Sequence, residues 1–128
     1  MTAIGTPIHV LVVDDDRDLR ETLVELLEER GYQVSEAGDG AQALHVLEAG
    51  ATKPSLILLD LTMPGMDGVA FRTEQLKNPD LATIPVLVFT ADAHAREKTE
   101  GLSARELVKK PLEQKVLLAA IDRALGRD

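Results

Sequence analysis

Runs of branched aliphatic residues recur along this chain, and between them apolar residues return every three or four positions. Ile8 to Val13 is the first such run, and three aspartates follow it, Asp14, Asp15 and Asp16. From Arg17 to Arg30, Leu19, Leu23, Leu26, Leu27 and Arg30 fall at helical spacing, and Gly31 marks the stop. Tyr32 to Ala37 alternates polar residues about Val34, which predicts a second strand at a sheet edge. Gly38-Asp39-Gly40 then turns the chain into a helix through Ala41, Leu44 and Leu47 that ends near Gly50.

The third strand spans Ser55 to Leu59 and holds an unbroken run, Leu56-Ile57-Leu58-Leu59, the pattern of a strand buried on both faces of a parallel sheet. Asp67 is placed to cap a helix running to about Lys77, with Pro79 just past its end. Pro85 to Phe89 reads as a fourth buried strand, followed by a charged, weakly patterned helix from about Ala93 to Gly101. Glu106 to Lys109 is a short fifth strand. Pro111 suits the first turn of a terminal helix, with Leu112, Val116, Ala119, Ala120, Ala124 and Leu125 as its apolar stripe.

Five β/α pairs joined by short loops predict an α/β fold. It is a flavodoxin-like (βα)5 doubly wound parallel sheet, helices on both faces, strand order 2-1-3-4-5.

Composition narrows the function. At 128 residues the chain is one domain, expected to run from 8 to 125 between an N-terminal tail at 1–7 and a C-terminal tail at 126–128. Fourteen basic against twenty-two acidic residues give a net charge of −8. That field opposes nucleic acid and anionic membranes and suits basic partners or cations. With no cysteine, disulfides, zinc-thiolate sites and thiol chemistry are excluded, which suits a cytoplasmic protein. The N-terminus has no signal-peptide pattern and no apolar stretch approaches the ~20 residues of a membrane span. Membrane insertion is therefore not expected. Met1 at the start and a compact end at Asp128 are those expected of a stand-alone domain, without an output domain in this chain.

The predicted sheet gathers the chemistry. Asp14 and Asp15 follow strand one, Asp60 ends strand three, Thr90 ends strand four and Lys110 ends strand five. In the order 2-1-3-4-5 these four strands are contiguous, so all five residues line one edge beside the switch point between strands one and three. Strand two contributes nothing to the set. Converging carboxylates repel one another and call for a cation. Magnesium takes one or two carboxylates, keeps waters and binds phosphate oxygens. A lysine adds a point charge for a phosphate, and a threonine hydroxyl can donate to it. A carboxylate can itself be the nucleophile of phosphoryl transfer, where positioning and charge neutralisation do most of the work. The set reads as a magnesium-assisted phosphoryl acceptor.

Simpler readings exist for each residue alone. An aspartate run after a strand reads first as a helix cap, and Asp16 is assigned that role. Thr90 alone would be a strand-end hydroxyl, and Lys110 alone a surface charge; their placement relative to Asp60 decides otherwise. Lys109 is read as a solvated neighbour, and Gly65 and Gly68 as serving loop geometry. His9, His45 and His94 are scattered and receive no role.

Val12-Val13-Asp14-Asp15, Leu58-Leu59-Asp60 with Met63-Pro64-Gly65-Met66-Asp67-Gly68, Val88-Phe89-Thr90-Ala91 and Lys109-Lys110-Pro111 together resemble the receiver domain of bacterial two-component response regulators. The match covers about residues 8 to 125. Each motif is short; four in order at compatible spacing carry the resemblance, which is to single-domain chemotaxis-type regulators.

The resemblance implies that Asp60 is the phosphoacceptor, Asp15 a direct ligand of Mg2+ (or Mn2+), and Asp14 a ligand largely through water. Asp60 itself and the backbone carbonyl of Thr62 would complete the protein ligands. It also implies that Lys110 pairs with the phosphoryl group through a site whose bond to Pro111 is cis, and that Thr90 moves toward the phosphate. The donor would be a histidine kinase or a phosphotransfer protein. The output would be phosphorylation-dependent binding of a downstream protein, with the chain a monomer or a weak phosphorylation-dependent dimer. It would not be an enzyme with an external substrate but would assist its own phosphorylation and dephosphorylation. Thr62 and Asp92, two residues past Asp60 and Thr90, would flank the path of attacking water and tune the acyl phosphate lifetime.

Two positions depart from the family. Leu107 stands where a Tyr or Phe often partners the threonine, so an aromatic switch cannot operate. Thr90 and Lys110 stand 20 residues apart, a short interval that predicts a short or irregular fourth helix on the signalling face.

Three other functions share parts of the pattern. A haloacid-dehalogenase-like phosphatase needs a second aspartate two residues after the nucleophile, and here that residue is Thr62. A flavodoxin-like flavin binder needs a hydroxyl-rich phosphate cradle, and three aspartates would repel the flavin phosphate. A phosphorylation-independent interaction module is favoured only by Leu107.

Overall fold

The computed structural model describes residues 7–50 and 53–127. Of the tails expected at 1–7 and 126–128, residues 1–6 and 128 lie outside the described residues. The elements in chain order are β1 (His9–Val13), α1 (Arg17–Glu29), β2 (Gln33–Ala37), α2 (Gly40–Ala49), β3 (Leu56–Leu59), α3 (Gly68–Lys77), β4 (Val86–Thr90), α4 (Ala95–Lys98), β5 (Glu106–Lys109) and α5 (Gln114–Ala124). All strand pairs are parallel and the order is β2-β1-β3-β4-β5, as the sequence predicts.

Strand alternation divides the core in two. Leu11, Val13, Ile57, Leu59, Val86 and Val88 pack with Ala43, Leu47 and Phe71 on one face. Val10, Val12, Leu56, Leu58, Leu87 and Phe89 pack with Leu23, Leu27, Leu117, Ala120 and Ile121 on the other. This double burial is why β1, β3 and β4 read as unbroken aliphatic runs. Burying one such Leu, Ile or Val side chain stabilises the fold by about 1.5–3 kcal/mol.

Three aspartates cap helices. Asp16 accepts from the Leu19 N–H at 3.1 Å, Asp39 from Gln42 at 2.8 Å and Asp67 from Ala70 at 2.9 Å. Each such cap is worth about 1 kcal/mol. The roles expected of Asp16 and Asp67 hold.

Helix details differ from expectation in three places. The apolar face of α5 is Leu117, Ala120, Ile121 and Ala124, whereas Val116 is 48% exposed and Ala119 is exposed. The expected stripe left out Leu117 and Ile121, which the approach of β4 and β5 buries in place of Val116 and Ala119. Pro111 precedes the helix, whose N-cap is Glu113. In α2 the buried small residue is Ala43, and Ala41 is exposed.

The fourth helix is short, as the spacing predicts: only Ala95–Lys98, against the broader span 93–101 suggested by the charge pattern. Gly101 (φ +78°) and Ser103 (φ 56°) bend the following segment in the left-handed region. Beneath it, the buried Arg72 donates to Leu102 O at 2.8 Å and to Ser103 O at 3.3 Å.

Candidate functional site: an acidic corner closed by a lysine

Register brings the site together. Val13 pairs with Leu59, and Thr90 with Lys109, so the chain leaves these strands at matched levels. Asp14 and Asp60 emerge side by side, the Asp60 N–H donating to Val13 O at 3.0 Å. Lys110 follows β5, its N–H donating to Thr90 O at 2.9 Å. The Lys110–Pro111 bond is cis, matching the expectation. Gly68 lets α3 start close against the strand end, because a Cβ there would lie 2.3 Å from Asp60 O. Gly65 in the loop between them has φ +69°. Both glycines thus serve backbone geometry.

The side chains form a compact electrostatic cluster. Asp14, Asp60 and Thr90 are buried, while Asp15 and Thr62 are exposed. Carboxylate oxygens of Asp14, Asp15 and Asp60 lie within 4.8 Å of one another. Lys110 Nζ donates to Asp14 Oδ2 at 2.8 Å and to Asp60 Oδ2 at 3.2 Å, with the Phe89 ring 5.7 Å away. The other Asp14 oxygen accepts from the Asp16 N–H at 2.9 Å. Burial pushes the Asp14 carboxyl above its ordinary value, and the bonds from Lys110 and Asp16 draw it only part of the way back. Burial also acts to lower the Lys110 pKa, but its hydrogen bond to Asp14 and the charges of Asp14 and Asp60 outweigh it and hold the ammonium above its ordinary value.

A cavity of about 290 Å³ opens beside Asp60, lined by Asp60, Thr62, Thr90, Ala91, Asp92 and Lys110. All five residues expected at this edge therefore meet. Lys109 is exposed, as expected of a solvated neighbour. Leu107 is half-buried against the core on the α4 side, lining a cavity with Ala95 and Arg96, and pairs in register with Val88. Of the unassigned histidines, His9 bonds Ser35 Oγ at 2.7 Å and His94 bonds Glu97 at 3.1 Å.

Strand β2 contributes none of the five residues, as expected, and bears on the corner only indirectly, through Glu36. Arg20, on α1, pairs with Glu36 at 3.2 Å and donates Nη1 to the Asp14 main-chain oxygen at 2.6 Å. It braces the loop that carries the acids. Nothing in the spacing of Arg20 and Glu36 marks this role, because it depends on a helix residue reaching over a strand end. Lys98 was likewise unmarked in the sequence: its ammonium holds Asp92 Oδ2 at 2.5 Å.

The donor set suits a divalent cation. Clustered carboxylates beside a lysine are hard-oxygen and phosphate-directed chemistry. Among the described residues no helix is long and apolar enough to cross a membrane.

Comparisons with known proteins agree with this geometry. A family model described as "Response regulator receiver domain" matches residues 10–122. The protein PetR of Rhodobacter capsulatus is 39% identical over 125 residues, covering 96% of this chain and 51% of PetR. The response regulator MprA of Mycolicibacterium vanbaalenii is 36% identical over 123 residues, covering 94% of this chain and 52% of MprA. The chain thus spans about half the length of the curated relatives it matches. The solved response regulator TrrA of Thermotoga maritima, in complex with Mg(2+)-BeF, superposes with a TM-score of 0.81 at 31% identity, covering 91% of this chain and 98% of that one. With the sheet order, the acidic corner and these relatives in agreement, the chain belongs to the response regulator receiver domains of two-component signalling systems.

Proposed function

We propose that residues 8–125 act as a receiver that takes a phosphoryl group on Asp60 from a histidine kinase or phosphotransfer protein. The observation that carries the reading is the position of Lys110 Nζ, bonded to both Asp14 and Asp60 at the carboxyl ends of β1 and β3. An Asp60 carboxylate oxygen attacks the phosphorus, and the bond to the donor imidazole nitrogen breaks with its electron pair staying on that nitrogen. Lys110 moves little to meet the phosphoryl oxygens, and the buried Thr90 hydroxyl in the same cavity turns to donate to them. Because the lysine and hydroxyl are positioned before reaction, little reorganisation is required.

The carboxylate cluster fits Mg2+ (or Mn2+). Asp15 is exposed and makes no hydrogen bond to another described residue, so it would hold the cation directly. Both Asp14 oxygens are already engaged, which suits a role through water. Asp60 and the backbone carbonyl of Thr62 would complete the protein ligands. When bound, the cation neutralises charge on the transferring phosphoryl group.

Output is altered protein binding, with the chain a monomer or a weak phosphorylation-dependent dimer. The net charge of −8 supports a role without direct nucleic-acid contact, and the lack of cysteine supports a cytoplasmic setting. The chain assists its own phosphorylation and dephosphorylation and turns over no other substrate. The test is incubation with Mg2+ and acetyl phosphate, or with a phosphorylated kinase, followed by intact-mass measurement. The protein gains one phosphoryl group and Asp60→Asn gains none. A wild-type protein that gains no mass overturns the reading.

A further inference from the structure

Asp92 stands at the rim of the Asp60 cavity, and it is more firmly held than its loop position suggests. Its side chain is only 9% exposed. Oδ1 accepts from the His94 N–H at 2.8 Å, and Oδ2 accepts from Lys98 Nζ and, at 3.5 Å, from the Thr62 hydroxyl. Its N–H donates to Thr90 Oγ1 at 3.3 Å. Asp92 thereby joins the loop after Asp60, the end of β4 and the short helix α4.

Lys98 is the residue that completes this arrangement. It ends α4, and with its side chain 51% exposed it has ample freedom to point elsewhere. Instead it turns back to the rim, matching its charge to Asp92. In this pose both Asp92 oxygens are committed and its charge is compensated.

We propose that Lys98 is a positioning residue that prolongs the life of the phosphoryl group on Asp60 by holding the Asp92 carboxylate away from attacking water. The proposal rests on the reading of Asp60 as the phosphoacceptor. In hydrolysis, a water oxygen bonds to phosphorus, and the bond to Asp60 breaks with its electron pair left on the Asp60 carboxylate. The phosphate released carries both water protons as dihydrogen phosphate. Water enters by the open rim between Thr62 and Asp92. A carboxylate released there accepts a hydrogen bond from that water and orients it. Its uncompensated charge also lies beside the phosphoryl oxygens, which raises the energy of the phosphorylated state.

The experiment follows phosphate release after the donor is removed from protein phosphorylated with acetyl phosphate and Mg2+. Lys98→Met shortens the lifetime by roughly threefold, a size suited to a half-exposed ion pair, and Lys98→Arg restores it. In an Asp92→Asn background Lys98→Met has no further effect. Salt at roughly 0.5 M shortens the wild-type lifetime but leaves that of Lys98→Met unchanged, because screening acts on the pair. A general loss of fold would instead slow uptake in every background and would not be rescued by arginine. Equal decay in Lys98→Met and wild type overturns the proposal, as does an undiminished effect in the Asp92→Asn background. If the wild type takes up no phosphoryl group, the acceptor reading itself falls, and this proposal with it. Uptake with a Lys98-independent lifetime removes this proposal alone.

Discussion

At the acidic corner, three strands end in register and deliver charged groups to fixed positions. On the α4–β5 side, regular structure nearly gives out. There α4 keeps four residues, and the segment to β5 passes through left-handed geometry at Gly101 and Ser103. What holds each region differs accordingly. The corner is set by the sheet ladder and by opposite charges, Lys110 between Asp14 and Asp60. The α4–β5 segment is set by a buried guanidinium, Arg72, bonded to carbonyls of Leu102, Ser103 and Ile84 and to Gln75. Gln75 in turn donates to Leu81 O and Ile84 O at 2.8 and 3.1 Å. Burial pulls the Arg72 pKa down, and its partners are carbonyls and an amide, with no carboxylate among them. The comparison teaches that chemistry in this protein rests on backbone register, whereas the face beside it rests on a few side-chain bonds.

Substitutions that separate these supports sharpen the contrast. The largest effect is expected from Lys110→Met, which removes the preset charge at the acceptor. Phosphorylation by acetyl phosphate slows roughly 100-fold, the scale of losing one preorganised donor, with the fold intact by circular dichroism. Similar rates would mean that the corner works without its lysine. Next comes Arg72→Met, which takes the guanidinium from the Leu102 and Ser103 carbonyls and costs about 2–3 kcal/mol in denaturant unfolding. Hydrogen exchange is expected to rise over residues 99–105, while the rate of phosphorylation stays within about twofold of wild type. Equal loosening at Asp14 and Asp60 would erase the distinction between the regions.

Alkaline titration gives a smaller effect of definite sign. Lys110 is held above its ordinary value of 10.5, so its stabilising contribution is complete below that value and is lost as pH rises through the higher folded value. Unfolding free energies of wild type and Lys110→Met should therefore hold their separation up to about pH 10.5 and converge only as pH rises above it. Parallel curves would show that the pairing with Asp14 and Asp60 does not stabilise the fold. The smallest effect is expected from Leu107→Ala. Leu107 is half-buried, so thermal or denaturant unfolding should show a loss of about 1 kcal/mol, and phosphoryl uptake should be unchanged. A large fall in uptake would place Leu107 in the chemistry rather than in the packing beside it.

Much of the fold was legible in the chain. Aliphatic runs in β1, β3 and β4 reveal strands buried on both faces, because no other element of that length hides every side chain. The acids and the lysine were legible for a related reason: five β/α units have few ways to wind, so strand ends can be placed before any coordinate is known. Less legible were the choices among neighbouring stripes. Val116 and Leu117 are equally apolar, and only the docking of α5 on β4 and β5 buries Leu117 and exposes Val116. The braces were not legible at all. Arg20 reaches Asp14 O through a pairing with Glu36, Arg72 reaches carbonyls thirty residues away, and Lys98 turns back to Asp92.

The sequence by itself thus determined the architecture and the gathering of Asp14, Asp15, Asp60, Thr90 and Lys110 at one sheet edge. Hydrophobic period and residue type suffice for that. Only the tertiary structure decided which long cationic side chains secure the edge and its neighbour. Such side chains span several ångströms from flexible stems, so their partners depend on where the chain has already folded and not on local pattern.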